Sequence, residues 1–148
     1  MTDGKIAEFK EGARDSLPVA AGYFGVSFSF GIMAVKDGIS PLVATVISLA
    51  NLTSAGQIAA LPLMVGGASL AEMALTQLTI NLRYALMSLS LSRKLDASMG
   101  TPQRLIFSYA NTDEIFAVAS SQPGKVGKHY LYGLMIAILL LFVKPLLP

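Results

Sequence analysis

The stretch GISPLVATVISLANLTSAGQIAALPLMVGGASLA (38–71) carries no charged residue. It is longer than the ~20 residues that one helix needs to cross a ~30 Å hydrocarbon core. Near its centre it is interrupted by the polar run NLTSAGQ (51–57). The stretch admits two readings. Pro41 to Gly66 is one long tilted helix, or it is two half-helices that meet at the Thr-Ser-Ala-Gly break.

The rest of the chain has the same character. Leu17 to Val35 is uncharged, and Met73 to Ser92 holds only Arg83. Leu105 to Ser121 holds only Asp113 and Glu114, and Tyr130 to Pro148 only Lys144, near enough to the end to snorkel toward headgroups. Apolar residues make up 53% and charged residues 14%, against about 25% charged in an ordinary soluble domain. So little charge cannot cover a surface in water, and lipid must supply part of the solvent. The expected fold is an all-α integral membrane protein with about five membrane-embedded segments.

Several classes of function are disfavoured. The chain has no cysteine, and its single His129 sits beside Lys128 in a basic loop. Thiolate chemistry, a metal centre and a serine–histidine triad therefore lack their residues, and no cofactor is called for. Gly66-Gly67 and Gly100 fit turns and not a phosphate loop. Eleven basic against nine acidic residues make no basic patch for nucleic acid. No enzyme is expected.

The first 16 residues, MTDGKIAEFKEGARDS (1–16), mix both charge signs. Ile6, Phe9, Ala13 and Leu17 adopt helical spacing, which predicts an amphipathic helix at the interface. A signal peptide is not expected, because the arm is not purely basic and no small-residue cleavage site comes after a short apolar core.

An internal repeat organises the remainder of the chain. Tyr23, Ser27 and Ser29 recur 61 residues on as Tyr84, Ser88 and Ser90, and Pro41 and Pro62 recur as Pro102 and Pro123. Ser48, Ala50 and Asn51 recur 60 residues on as Ser108, Ala110 and Asn111. The boundaries drawn from this are an interfacial helix at 1–16, a first repeat at 17–66, a second at 68–123, and a C-terminal membrane helix at 129–148. Each repeat is a spanning helix and then a hydrophobic stretch broken at its polar centre.

Charge placement predicts that both broken stretches are re-entrant. The N-terminal arm (Lys5, Lys10, Arg14), the 93–104 loop (Arg93, Lys94, Arg104) and the 122–128 loop (Lys125, Lys128) then share one side, with Lys36 opposite. The positive-inside rule favours such a bias and makes that side, with the N-terminus, cytoplasmic. Full crossings would spread the basic residues almost evenly. One spanning helix plus a re-entrant hairpin is an odd number of crossings, so the second unit is inverted. Inverted repeats with broken helices near the midplane are a transporter plan. A plain five-helix bundle with polar helix contacts is the competing reading.

The breaks are also where chemistry is expected, since unpaired backbone must be buried in protein or line a wet cavity. Half-helices starting near Ser54 or Thr112 would aim free N–H groups at a carboxylate. Carbonyls near Asn51 and Asn111 would suit an ammonium group, so a zwitterion fits. Thr53 and Gln57 lie in the first break. On the Met73–Ser92 helix Gln77, Asn81, Tyr84 and Ser88 form a polar stripe, which either lines a path or bonds between helices. Arg83 is placed as a substrate contact or as the partner of a buried acid. Asp113 and Glu114, costly at bilayer depth, are the candidates for proton coupling. Ala21, Gly25 and Ser29 form a small-residue stripe read as close helix packing.

These residues also carry a resemblance. SLANLTSAGQIAALPLMVGGASLAEMALTQLTINLRYALMSLSLSRKL (48–95) and TDEIFAV (112–118) resemble the AzlC family of branched-chain amino acid permeases, as does DSLPVAAGYFGVSFSFGIMA (15–34). The shared motifs are SAGQ at 54–57, NLR at 81–83 and TDE at 112–114. The resemblance implies export of valine, leucine or isoleucine, a small AzlD-like membrane subunit as partner, and a bacterial inner membrane. Members of that family continue past the helix that opens with HYLYGL (129–134). A short or truncated member, or one part of a larger assembly, is therefore expected. A remnant or accessory subunit that does not transport, and a passive pore for a small polar solute, are the alternatives.

Overall fold

A computed structural model describes residues 2–143; Met1 and 144–148, including the Lys144 expected to snorkel, lie outside the described residues. Among the described residues the chain forms seven α-helices and no strand beyond one isolated bridge: α1 (Thr2–Lys36), α2 (Pro41–Asn51), α3 (Ser54–Val65), α4 (Leu70–Ser92), α5 (Thr101–Tyr109), α6 (Asp113–Ser121) and α7 (Lys128–Val143).

The 38–71 stretch is two half-helices and not one. Ser40 starts α2 by accepting from Val43 N–H at 3.4 Å, with Pro41 at the first helical position, where its missing N–H is harmless. Leu52 stops the helix in the left-handed region (φ 51, ψ 12), its N–H bonded to Ser48 O at 2.9 Å. A non-glycine residue rarely adopts that conformation. Gly66 ends α3, and Gly67 (φ 67) makes the turn into α4. Ser69 and Glu72 then exchange bonds: Ser69 N–H and Oγ reach Glu72 Oε2 at 2.8 and 2.9 Å, and Glu72 N–H reaches Ser69 Oγ at 3.2 Å. That is a capping box.

Among the described residues the chain divides into two compact units, 21–83 with 141–143 and 2–20 with 84–140, so the division falls inside α1 and α4. In the first, Phe30, Ala34, Ala44 and Leu61 form a buried cluster, with Ile39, Ile47 and Ile58 packed on it. Ser48 pairs with Gln57, and Ala44 shares this cluster with Leu61. Both pairs are centred on the Leu52–Thr53 break, so α2 and α3 run antiparallel. Tyr23 meets Phe142 edge to face, with ring centroids 5.2 Å apart.

In the second unit a parallel bridge joins Leu95 to Val126, through Asp96 N–H to Val126 O at 3.0 Å and Val126 N–H to Lys94 O at 2.8 Å. Lys94 also donates to the carbonyls of Ser120 and Gln122, satisfying the end of α6. The loop that precedes α5 is thus tied to the loop after α6. The hairpin enters and leaves at one end.

The first 16 residues are not a separate element: α1 runs unbroken through Pro18 to Lys36. Its early turns pack on α7 at a glycine crossing. A Cβ on Gly12 would lie 2.0 Å from Tyr130 O, and one on Gly133 2.0 Å from Phe9 O. Asp15, Gln122 and Tyr130 close the same region: Asp15 Oδ2 accepts from Tyr130 OH at 2.8 Å and from Gln122 Nε2 at 3.0 Å.

The small-residue stripe is a correction. Ala21, Gly25 and Ser29 are exposed, and the buried face of α1 is Gly12, Ser16, Ala20, Tyr23, Ser27, Phe30 and Ala34. Bulky and small residues alternate on that face, so counting small residues alone selects the wrong one. Leu75, Leu78, Leu82, Leu86 and Leu89 are likewise exposed along α4. Such a row of exposed leucines suits lipid better than water. Of the five embedded segments expected, length and composition single out one, Asp3–Lys36. The half-helices of 11 and 12 residues reach only about 18 Å each.

Candidate functional site

Each unit concentrates buried polar groups at its helix break. In the first unit the hub is Gln77 on α4. Its Nε2 donates to Gly56 O at 2.9 Å, and its Oε1 accepts from Asn81 Nδ2 at 3.1 Å and from Asn51 Nδ2 at 3.4 Å. Thr53 donates to Asn51 Oδ1 at 3.0 Å and makes no side-chain cap for α3, whose first turn also lacks an acid. The leading N–H groups of α3, on Ser54, Ala55 and Gly56, have no intrahelical acceptor. That end of the helix carries partial positive charge.

Gly56 makes the cluster possible. A Cβ there would lie 2.4 Å from Thr53 Oγ1, 2.8 Å from Gln77 Oε1 and 2.9 Å from Asn51 Nδ2. Beside it Gln57 is wholly buried. Its Oε1 accepts from Ser48 Oγ at 2.6 Å, and its Nε2 has no hydrogen-bond partner among the described residues. Asn81 Oδ1 is buried and unpartnered as well. One free donor and one free acceptor thus accompany an uncapped helix start. An unmet buried group costs about 1–3 kcal/mol, and such groups suit a polar ligand or water.

In the second unit Asn111 (4% exposed) donates to Ser88 Oγ at 3.0 Å and keeps a buried, unpartnered Oδ1. Thr112 caps α6 by accepting from Ile115 N–H at 3.4 Å. Asp113 and Glu114 occupy the first turn and are half-buried, and Tyr84 OH approaches Asp113 Oδ2 at 3.5 Å. With a side-chain cap and two carboxylates at its start, α6 is a poor anion site. The breaks are alike in position and opposite in chemistry.

Of the residues singled out from sequence, the structure joins Asn51, Thr53 and Asn81 through Gln77, with Gln57 and Ser54 in the adjoining first turn of α3. Asn111, Thr112 and Asp113 meet Ser88, the α6 backbone and Tyr84. Arg83 is exposed on α4. Ser48 is not among the residues singled out from sequence, and Gln77 and Ser88 enter there only as members of the α4 polar stripe. The Gln77–Asn81–Tyr84–Ser88 stripe is the signal for the two on α4: Gln77 bonds to the first hairpin, Tyr84 and Ser88 to the second, and Asn81 to Gln77 on α4 itself. Among the described residues no cluster of metal-ligating side chains occurs.

Residues 18–144 match the AzlC protein family. The inner membrane protein YgaZ of Escherichia coli (strain K12) is 30% identical over 132 residues, covering 89% of this chain and 54% of that protein. An uncharacterized membrane protein of Archaeoglobus fulgidus is 32% identical over 115 residues, 78% of this chain and 50% of its own. One from Helicobacter pylori (strain 26695) is 30% identical over 123 residues, 82% and 53%. The chain spans about half the length of the curated relatives it matches. No solved structure matches it significantly. An all-α chain with lipid-suited faces, two broken helices and relatives that are membrane proteins belongs to the AzlC family.

Proposed function

We propose that the chain is a membrane subunit of a secondary transporter that exports branched-chain or other hydrophobic amino acids, coupled to protons and assisted by a small AzlD-like membrane subunit. The observation that carries this is the first break. The uncapped start of α3 beside the free Gln57 Nε2 suits a substrate carboxylate, and the free Asn81 Oδ1 suits an ammonium group. Asp113 and Glu114, at the start of α6, are the proton-coupling pair.

The joined loops around α5 and α6 support a re-entrant second hairpin and, with the antiparallel α2 and α3, an inverted repeat whose N-terminus is cytoplasmic. The relative's description as an inner membrane protein supports an inner-membrane location.

Proteoliposome efflux of labelled leucine, with and without a co-expressed AzlD-like subunit, tests the proposal. The expected result is saturable efflux that tracks a pH gradient and is lost in Asp113→Asn and Glu114→Gln. Absence of efflux in every pairing would instead identify a subunit that does not transport. Unsaturable flux indifferent to the gradient would identify a pore.

A further inference from the structure

A groove between α4 and α5, within the second unit, holds about 240 Å³. That is below the ~300–1,000 Å³ of pockets for drug-sized ligands, a scale fit for one amino acid. Leu91, Leu95, Leu105 and Phe107 supply apolar walls. Arg104 and Asn111 also line it, with no acid among the lining residues.

Arg104 is fixed rather than free to sweep. Its Nε donates to Met99 O at 3.0 Å and its Nη2 to Asp96 O at 3.5 Å. Its remaining N–H donors stay available for a planar carboxylate. Asn111, spent on one side by its bond to Ser88, keeps the buried Oδ1 that no described residue satisfies. A cation, an apolar wall and a free acceptor in one small groove match a carboxylate, an aliphatic body and an ammonium group.

We infer that this groove is a second amino-acid site, which takes a free aliphatic α-amino acid with its carboxylate on Arg104, its side chain against Leu91, Leu95, Leu105 and Phe107, and its amine toward Asn111 Oδ1. Arg104 lies in the first turns of α5, just after the basic loop that holds Arg93 and Lys94, so on the proposed topology this is the site from which cargo is loaded on the cytoplasmic side. The loading role rests on the export reading; the binding does not.

The chain contains no tryptophan, so Leu105→Trp places a lone fluorophore in the groove and Ile106→Trp, one residue outside its lining, is the control; Ser108→Trp is a second reporter if the first misfolds. In nanodiscs, leucine should change Leu105→Trp emission saturably and leave Ile106→Trp unchanged. Leucine methyl ester should fail, and isocaproate, which lacks the amine, should bind about tenfold more weakly. Adding Arg104→Gln should weaken leucine about tenfold or more, with Arg104→Lys recovering part of it.

A flat titration in both reporters, equal binding by Arg104→Gln, or emission set by anionic lipid that leucine cannot displace would each overturn the site. Efflux is read separately. Titration without efflux refutes export and leaves the site standing, and efflux without titration refutes the site alone.

Discussion

At the residue scale, Gly56 and Asp96 show how single atoms decide local outcomes. Any Cβ at Gly56 enters the space of three polar side chains already committed to one another. Gly56→Ala should therefore open the Gln77 cluster and leave buried amides unmet. The expected loss is about 1–3 kcal/mol, read as a lower melting temperature in detergent, and an unchanged melt would refute the tight closure. Asp96 lies in the loop between α4 and α5, where bonds from the hydroxyl and N–H of Ser98, and more weakly the charge of Lys125, hold its carboxyl below the ordinary value. A lowered folded pKa stabilises above the unfolded value of 3.8 and fades as pH falls through the folded one. Asp96→Asn should thus melt lower than the parent at neutral pH, with the gap closing below about pH 4. A gap that widens in acid would contradict the assignment.

At the element scale, α1 shows how one helix serves two kinds of neighbour. Its buried face mixes glycine, serine and alanine with Tyr23 and Phe30, and from Leu17 on its opposite faces are apolar and exposed. Apolar surface gives no drive between helices in lipid, so close approach at small residues must supply it. Gly12 and Gly133 provide that approach. Gly12→Ala and Gly133→Ala should both abolish the folded peak in size-exclusion chromatography. Gly22→Ala and Gly25→Ala, where a Cβ meets nothing within 4 Å, should leave it intact. Equal behaviour of the two pairs would remove the crossing as a determinant. The polar stripe of α4 has the same logic. It satisfies the broken hairpins through Gln77, Tyr84 and Ser88, with Asn81 bonded to Gln77 on the same helix, and in doing so makes α4 too polar to be recognised as a span by composition.

At the scale of the whole molecule, the issue is which loops share a side of the membrane. The absence of cysteine makes single-cysteine labelling clean. Asp37→Cys and Ser69→Cys should react with an impermeant maleimide from the same side, because α2 and α3 form an antiparallel hairpin. Ser98→Cys and Gly124→Cys should react together from one side, because the Leu95–Val126 bridge ties their loops. Labelling of Asp37→Cys and Ser69→Cys from opposite sides would end the inverted-repeat proposal.

Much was legible before any fold was known. Uncharged runs declare a lipid-facing helical chain, since composition alone sets what solvent a surface can meet. The polar interruptions at 51–57 and 111–114 mark the breaks, because polar groups in lipid must be housed by protein. Which stripe of α1 is buried was not legible: that depends on which helix lies across it, and Gly25 and Gly12 look alike in sequence. Nor was the role of Gln77, whose three partners come from 21 to 26 residues earlier and four residues later. The left-handed Leu52, the cap made by Thr112 and withheld by Thr53, and the Arg104 groove belong to the same class. Residue types fix what each group can bond; only the folded chain decides which of those bonds are already taken and which are left for a ligand.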